Sequence, residues 1–203
     1  MSKGEEKKGL KWALPLVAIV ITGIAFYPSL FNGWTNWDDE VYVLNNENIK
    51  EFSWGQIKYW FTEYHHGNYH PFTMISYMVE YSIAEFNPVI YHFTNYLLHL
   101  LNTGLVFFFI FKLIGRKDAA LITAILFGVH PMHVESVAWI SERKDLLYTA
   151  FYLGSLLVYL GYKQTPDWKK YIILLLLFSG SLFSKSAAVV LPVILLLIDY
   201  FQG

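Results

Sequence analysis

Long stretches without a charged residue limit what this chain can fold into. One run covers residues 12–31 and another covers residues 86–111. About 20 apolar residues are enough to cross the hydrocarbon core of a bilayer. Shorter uncharged runs occupy residues 119–129, 146–162, 171–184 and 186–198. Charged residues make up 15% of the chain, against about 25% in soluble domains, so the sequence predicts an all-α, polytopic membrane helix bundle.

The charge pattern divides the chain into four predicted parts. Residues 1–11 carry four lysines and are predicted to be a cytoplasmic tail, followed by a first transmembrane helix at residues 12–31. Residues 32–85 are predicted to be an external loop, and residues 86–203 a transmembrane bundle. A signal peptide shares the basic start and apolar run. The run is long for a signal peptide, however, and no small-residue cleavage site follows it, which favours a retained helix.

Lysine and arginine set the predicted orientation, because they are enriched in cytoplasmic loops. With the N-terminal lysines inside, the basic junctions at residues 116–117 and 163–170 also fall inside. The acidic residues 38–40 and the histidine-rich residues 130–135 then lie outside. Residues 171–198 form either one long broken helix or two spans joined near Lys185, and the interrupted leucine and isoleucine pattern favours two.

Helical periodicity predicts two helices lying along the membrane surface within the external loop. Residues 53–64 place apolar side chains at helical spacing, and Ser53 is suited to cap the helix. Residues 74–83 are the second such segment. In the run at residues 86–111, a polar stripe at helical spacing comprises His92, Asn95, Tyr96, His99 and Asn102. Such a stripe should face the bundle interior or a wet cavity.

Ionisable side chains gather between two apolar runs at residues 130–145. They are His130, His133, Glu135, Arg143 and Asp145. Because such groups are costly at the edge of a bilayer, the cluster is a functional-site hypothesis. Arg143 is a candidate phosphate ligand, because guanidinium binds two phosphate oxygens at once; the alternative is an arginine that reaches lipid headgroups. Lys185 falls outside, against the basic bias of the inside, and is a second phosphate candidate.

Two interpretations of His130, His133 and Glu135 stay open. Imidazole and carboxylate suit a divalent metal, yet a zinc site needs a third protein ligand. The alternative is polar packing against the acceptor or the other loop. With no cysteine in the chain, disulfides and thiolate zinc sites are excluded. A net charge of −1 provides no basic field for nucleic acid.

Four short patches, taken in order and spacing, resemble the transmembrane-and-TPR O-mannosyltransferases, a family of GT-C glycosyltransferases. The first is Asn36, Trp37, Asp38, Asp39 and Glu40, and the second is Asn68, Tyr69, His70, Pro71 and Phe72. The third covers residues 130–137 with Arg143, Asp145, Leu146 and Leu147, and the fourth covers residues 182–185 with Leu191 and Pro192. His70 stands where the family has arginine, and Ser186 where some members have an acidic residue.

The resemblance implies a GT-C-like fold and a glycosyltransferase that moves a sugar, typically mannose, from a polyprenyl-phosphate donor to a serine or threonine hydroxyl of a protein acceptor. It points to the acidic motif for the general base, with Asp38 first and Asp39 second. Further predicted substrate or phosphate contacts are Glu40, His70, His130, His133, Glu135, Arg143 and Lys185. The implied site faces the extracytoplasmic or lumenal side of a bacterial plasma membrane or a eukaryotic endoplasmic reticulum membrane.

The resemblance covers residues 30–192 but matches only the N-terminal half of the family's membrane domain, so we expect a piece of a larger protein. Two other functions stay open. One is a transporter or an ion- or proton-conducting fragment, and the other is an inactive partial domain that assembles with a partner. A proton relay should also place ionisable groups near the membrane midplane. Here they cluster at one face, which favours the enzyme.

Overall fold

The computed structural model describes the backbone of residues 3–203 and the side chains of residues 13–203. The whole predicted cytoplasmic tail, residues 1–11, therefore lies outside the described side chains. The described backbone forms helices and turns with a single isolated β-bridge, which confirms the all-α prediction. The helices are α1 Lys3–Phe26, α2 Trp54–Thr62, α3 Pro71–Ala84, α4 Pro88–Ile114, α5 Lys117–Gly128, α6 His133–Ala138, α7 Arg143–Gln164, α8 Trp168–Ser184 and α9 Leu191–Gln202.

Two segments of the described chain are long and apolar enough to cross a membrane by length and composition. They are Ala13–Phe31, near the N-terminus, and Pro88–Ile114. Ser186–Gln202 is a shorter apolar segment. A polytopic arrangement thus stays a prediction beyond these two candidate spans.

Capping residues explain where the helices begin and end. Ser53 Oγ accepts a hydrogen bond from the Gln56 N–H at 3.3 Å, which confirms the predicted start of α2. Pro71 and Pro88 stand at the first positions of α3 and α4, where a missing N–H costs nothing. Gly115 caps the end of α4 with a φ of +80°, which suits glycine.

Helices α1, α4, α5 and α7 pack around a shared apolar core. Buried members of this core include Ala18, Phe107, Ala124 and Leu156. Helices α1 and α5 approach so closely that a Cβ at Gly128 would lie 1.9 Å from Thr22 Oγ1. Small residues at such crossings allow backbones to pack closely without a side chain between them.

One end of the bundle carries the basic junctions, and we call it the basic end. Lys112 Nζ, near the end of α4, donates to the Leu157 carbonyl of α7 at 3.1 Å. Lys163, at the end of α7, pairs with Asp199 of α9 at 2.8 Å. The last turns of α4, α7 and α9 therefore lie together.

Residues 32–85 pack on the opposite end, which we call the loop end. Tyr77 of α3 donates its hydroxyl to the Ile140 carbonyl at 2.9 Å. Thr73 donates to the Ser184 carbonyl at 3.4 Å, where α8 ends. Lys185 is then extended, with φ −158° and ψ 132°, and α9 runs back toward the basic end. Residues 171–198 therefore form two helices joined at Lys185, as the sequence pattern favoured.

Candidate functional site

The Asp39 carboxylate ties the first loop to the segment that follows α6. Its side chain is fully buried. Oδ1 accepts hydrogen bonds from the Ser141 N–H, at 2.9 Å, and from the Ser141 hydroxyl. Oδ2 accepts from the N–H and the hydroxyl of Thr35, both at 3.0 Å. The acidic motif therefore contacts the segment between α6 and α7, and four donors occupy the acceptor sites of Asp39.

Asp38 stands beside this tether in a different environment. Its side chain is half-buried and makes no hydrogen bond or ion pair within the described part of the chain. Burial raises the pKa of the Tyr42 hydroxyl, and the nearby charges of Asp38 and Glu142 add to the rise although a hydrogen bond from Asn68 opposes it. Asp38 therefore faces the Tyr42 region with a free carboxylate. Glu40 is exposed, at the start of a short π-helical turn.

Lys144 brings a positive charge to the same region, and it is not among the site residues predicted from the sequence. Its ammonium lies 5.5 Å from the centre of the Tyr42 ring. It pairs with Glu142 at 2.6 Å, and both side chains are 13% exposed. The only signal in the sequence was its position next to Arg143, within the 130–145 cluster.

His70 is buried at the start of α3, with its ring 5.2 Å from the Tyr42 ring. Its Nε2 has no hydrogen-bond partner among the described residues. Burial is the main cause that lowers the pKa of His70 to about 4, and the charges of Lys144 and His65 act in the same direction. A neutral imidazole at this position leaves the region without the charge that an arginine would bring.

Acidification should destabilise the fold through His70. The pKa is about 4 in the folded state and 6.5 in the unfolded chain, so between these values the unfolded state binds the extra proton. The free energy of unfolding should then fall as the pH drops from 6.5 towards 4. We expect a smaller decrease in thermal stability between pH 7 and pH 5 for His70→Gln than for the unchanged protein in detergent. An equal decrease in both would contradict this.

Arg143 lies in the interior, where it joins α3, α4 and α7. Its side chain is 0% exposed, and its guanidinium lies 4.7 Å from the centre of the Tyr77 ring. All three nitrogens are engaged, by Asn95 Oδ1 at 2.7 Å, the Tyr91 carbonyl at 2.9 Å, Ser76 Oγ at 3.2 Å and the Glu80 carboxylate. Burial raises the pKa of Glu80, although the charge of Arg143 opposes the rise. This placement leaves no free side of the guanidinium for a phosphate.

A cavity of about 310 Å³ opens at the loop end beside the start of α7. Its wall includes His99, Asn102, His133, Ser136, Asp145 and Lys185. The Lys185 ammonium pairs with the Asp145 carboxylate, and the two side chains are 34% and 31% exposed. We name this space the polar cavity. It brings together two predicted site residues, His133 and Lys185. Asp145 also lines it, a member of the ionisable 130–145 cluster for which the sequence predicted no role.

His130 and Glu135 are exposed. His130 Nδ1 accepts a hydrogen bond from the Met132 N–H at 3.2 Å. The His130 and His133 ring centres are 6.0 Å apart. Across residues 13–203, no group of three histidine, aspartate or glutamate side chains could hold a metal ion, so the pair has no third protein ligand there.

Four of the five residues in the predicted polar stripe of α4 face the interior, whereas Tyr96 is only partly buried. His92, Asn95, His99 and Asn102 are at most 1% exposed. His92 pairs with the Gly33 carbonyl at 3.2 Å, and Asn95 donates to the Trp139 carbonyl at 3.2 Å. The stripe thus holds the first loop and the α6–α7 connection against α4.

Comparison with known proteins finds relatives that are named protein O-mannosyl-transferases. Protein O-mannosyl-transferase TMTC3 of Mus musculus is 30% identical over 161 residues, or 74% of this chain and 17% of the relative. TMTC3 of Homo sapiens is 30% identical over 162 residues, 76% of this chain and 17% of the relative. TMTC2 of Homo sapiens is 31% identical over 154 residues, 72% of this chain and 18% of the relative.

No family model matches the chain, and no solved structure matches it. Over the matched region, the chain is aligned with these protein O-mannosyl-transferases. That region belongs to the family of these protein O-mannosyl-transferases. The chain spans 17–18% of the length of these relatives.

Proposed function

We propose that this chain carries reacting groups of a GT-C type glycosyltransferase that moves mannose from a polyprenyl-phosphate donor to a serine or threonine hydroxyl of a protein. The names of the relatives support sugar transfer to proteins. One observation carries the assignment of the site. The Asp39 carboxylate is occupied by its hydrogen bonds to Ser141. The neighbouring Asp38 at the loop end is half-buried, and its carboxylate makes no hydrogen bond or ion pair within the described chain.

Asp38 is proposed as the general base. The acceptor hydroxyl oxygen attacks the anomeric carbon, the bond from that carbon to the donor phosphate oxygen breaks, and the proton of the hydroxyl passes to the Asp38 carboxylate. The phosphate leaves with the bonding electron pair. A positioned base of this kind contributes about 10²–10⁴-fold to a rate. Asp39 fixes the position of Asp38 through the loop that it holds.

The leaving phosphate needs positive charge nearby. Arg143 is buried and engaged, so its proposed role changes from direct phosphate contact to holding α3, α4 and α7 in place. Lys185 is the proposed phosphate ligand, exchanging part of its contact with Asp145 for the donor. Lys144, beside Tyr42 and paired with Glu142, is a second cation in this region.

The remaining predicted contacts are proposed as parts of the substrate surface at the loop end. Glu40, His130 and Glu135 are exposed and accessible to a protein acceptor. His133 lines the polar cavity. His70 is buried and neutral near Tyr42, so it is suited to shape the site and not to bind an anion by charge.

We propose that the bundle crosses the membrane several times, with the loop end on the extracytoplasmic or lumenal face and the basic end in the cytoplasm. The packing of residues 32–85 on one end supports this arrangement, as do the lysines near the junctions at the other end. Polyprenyl phosphate is a membrane lipid, so a site at this interface could reach it from the bilayer.

Cysteine labelling should report this orientation, because the chain has no native cysteine to interfere. Single substitutions Glu40→Cys and Ala138→Cys should react from the outside in intact cells or vesicles. Arg116→Cys and Asp167→Cys should react only after the membrane is permeabilised. Opposite labelling at any of the four positions would contradict the proposed topology.

A transfer assay tests the proposed activity. Membranes that hold the protein are given polyprenyl-phosphate mannose with a labelled sugar and a peptide with serine and threonine. We expect label on the peptide, and none on a matched peptide in which alanine replaces both residues. Absence of transfer, together with protein-dependent ion flux in sealed vesicles, would contradict the proposal and favour the transporter.

A further inference from the structure

Two side chains in the wall of the polar cavity keep buried acceptors without partners. His99 and Asn102 are 1% and 0% exposed, and both line the cavity. Asn102 donates an amide N–H to the Leu146 carbonyl at 2.9 Å. Its Oδ1 is the acceptor that remains. That oxygen has no partner in the described residues.

His99 has the same arrangement. Its Nε2 lies 2.8 Å from the Gly128 carbonyl oxygen. Because a carbonyl can only accept, Nε2 carries the proton, and in the neutral imidazole Nδ1 is then an acceptor. Nδ1 has no partner within residues 13–203. His99 and Asn102 are three residues apart on α4, so both acceptors belong to one face of the helix.

Buried acceptors without donors are costly, and native proteins keep few of them. Two residues that line one cavity each keep such an acceptor, which points to a ligand that donates hydrogen bonds. An anion is unsuited to these two side chains, because an anion can only accept hydrogen bonds and cannot donate to His99 Nδ1 or Asn102 Oδ1. The cavity volume of about 310 Å³ is also far more than the roughly 30 Å³ that one water occupies in the liquid. A compact group with several hydroxyls fits both the size and the chemistry.

We propose that the polar cavity receives the hexosyl group of the lipid donor, with His99 Nδ1 and Asn102 Oδ1 accepting hydrogen bonds from its hydroxyls. This inference rests on the proposed function and extends it to the residues that select the sugar. Lys185, in the same wall, places the phosphate at the side of the sugar where the bond breaks. Asp145, paired with Lys185, offers a further acceptor to the sugar.

Binding of two charge-matched lipids tests the inference on the purified protein. One is polyprenyl-phosphate mannose, and the other is a polyprenyl phosphate esterified with a cyclohexyl group, which keeps the ring but has no hydroxyls. The unchanged protein should bind the mannose lipid more tightly. In Asn102→Leu this preference should shrink by about 10-fold, the value of one hydrogen bond to a buried polar group.

Thr103→Val is the matched control. Thr103 is equally buried and adjacent on α4, but its hydroxyl donates within the helix to the His99 carbonyl at 3.0 Å. This variant should keep the preference for the mannose lipid. Because the readout is a ratio of two affinities, general damage to the fold lowers both values and leaves the ratio unchanged.

The outcomes separate the two proposals. If the unchanged protein binds both lipids equally, the cavity does not hold the sugar, although the proposed transfer can still stand. If Asn102→Leu keeps the full preference, the inference is also overturned. If the unchanged protein binds neither lipid, the proposed function itself fails. Should Asn102→Leu not fold, the comparison of the two lipids on the unchanged protein still decides the matter.

Discussion

Replacement of Asp38 by asparagine should lower sugar transfer by about 10²–10⁴-fold while the protein stays folded. The amide keeps the size of the side chain but cannot take the proton of the acceptor hydroxyl. Since Asp38 makes no hydrogen bond or ion pair within residues 13–203, its loss should not disturb the packing. The measurement is the rate of labelled mannose transfer in membranes at matched protein levels, together with the thermal stability of the purified variant.

Two further variants sharpen this result. Asp39→Asn should lower stability as well as transfer, because an amide cannot accept from both Thr35 and Ser141 as the carboxylate does. His92→Gln should affect transfer far less, since a glutamine amide can still donate to the Gly33 carbonyl. Full transfer in both Asp38→Asn and Asp39→Asn would show that the acidic residues have no catalytic role. That result would favour the transporter function.

Loss of Arg143 should be among the most destabilising single changes in this chain. Arg143→Met leaves the Glu80 carboxylate buried without its ion-pair partner, and breaking a buried pair in this way typically costs about 3–5 kcal/mol. Arg143→Lys should also be destabilised and transfer less, because a lysine cannot reach the several partners of the planar guanidinium. Thermal unfolding of the purified variants in detergent measures the effect.

The double variant Arg143→Met with Glu80→Leu is the control. Removing both charges should restore much of the stability that the single change loses, because no charge is left unpaired in the interior. The opposite pattern would be a stable Arg143→Met with a raised KM for the lipid donor and an unchanged thermal midpoint. That result would support the direct phosphate contact predicted from the sequence.

Periodicity and capping predicted much of the local structure, although not the short helix α6. The apolar runs became α4, α5, α7, α8 and α9 within a few residues of the expected bounds. Ser53 caps α2 as its residue type suggests, and Lys185 separates two helices. The polar stripe of α4 was readable because a helix places every third or fourth residue on one face.

Pairings between distant segments could not be read in this way. Arg143 was predicted to be available to a phosphate because its ion-pair partner could not be recognised from the sequence. That partner, Glu80, lies 63 positions earlier, in a segment expected to lie on the membrane surface. Asp38 and Asp39 are the same residue type side by side, and only the partners Thr35 and Ser141 distinguish them. The unpaired acceptors of His99 and Asn102 depend on which carbonyl each side chain meets.

The tether between Asp39 and Ser141 also sets an order of events during synthesis. The two residues are 102 positions apart, and the apolar segment Pro88–Ile114 lies between them. At about 5–20 residues per second, a ribosome needs roughly 5–20 s to make that length of chain. Throughout that interval the acidic loop has no Ser141 to bind. Its final shape is therefore acquired only after the segment that contains Ser141 has been made.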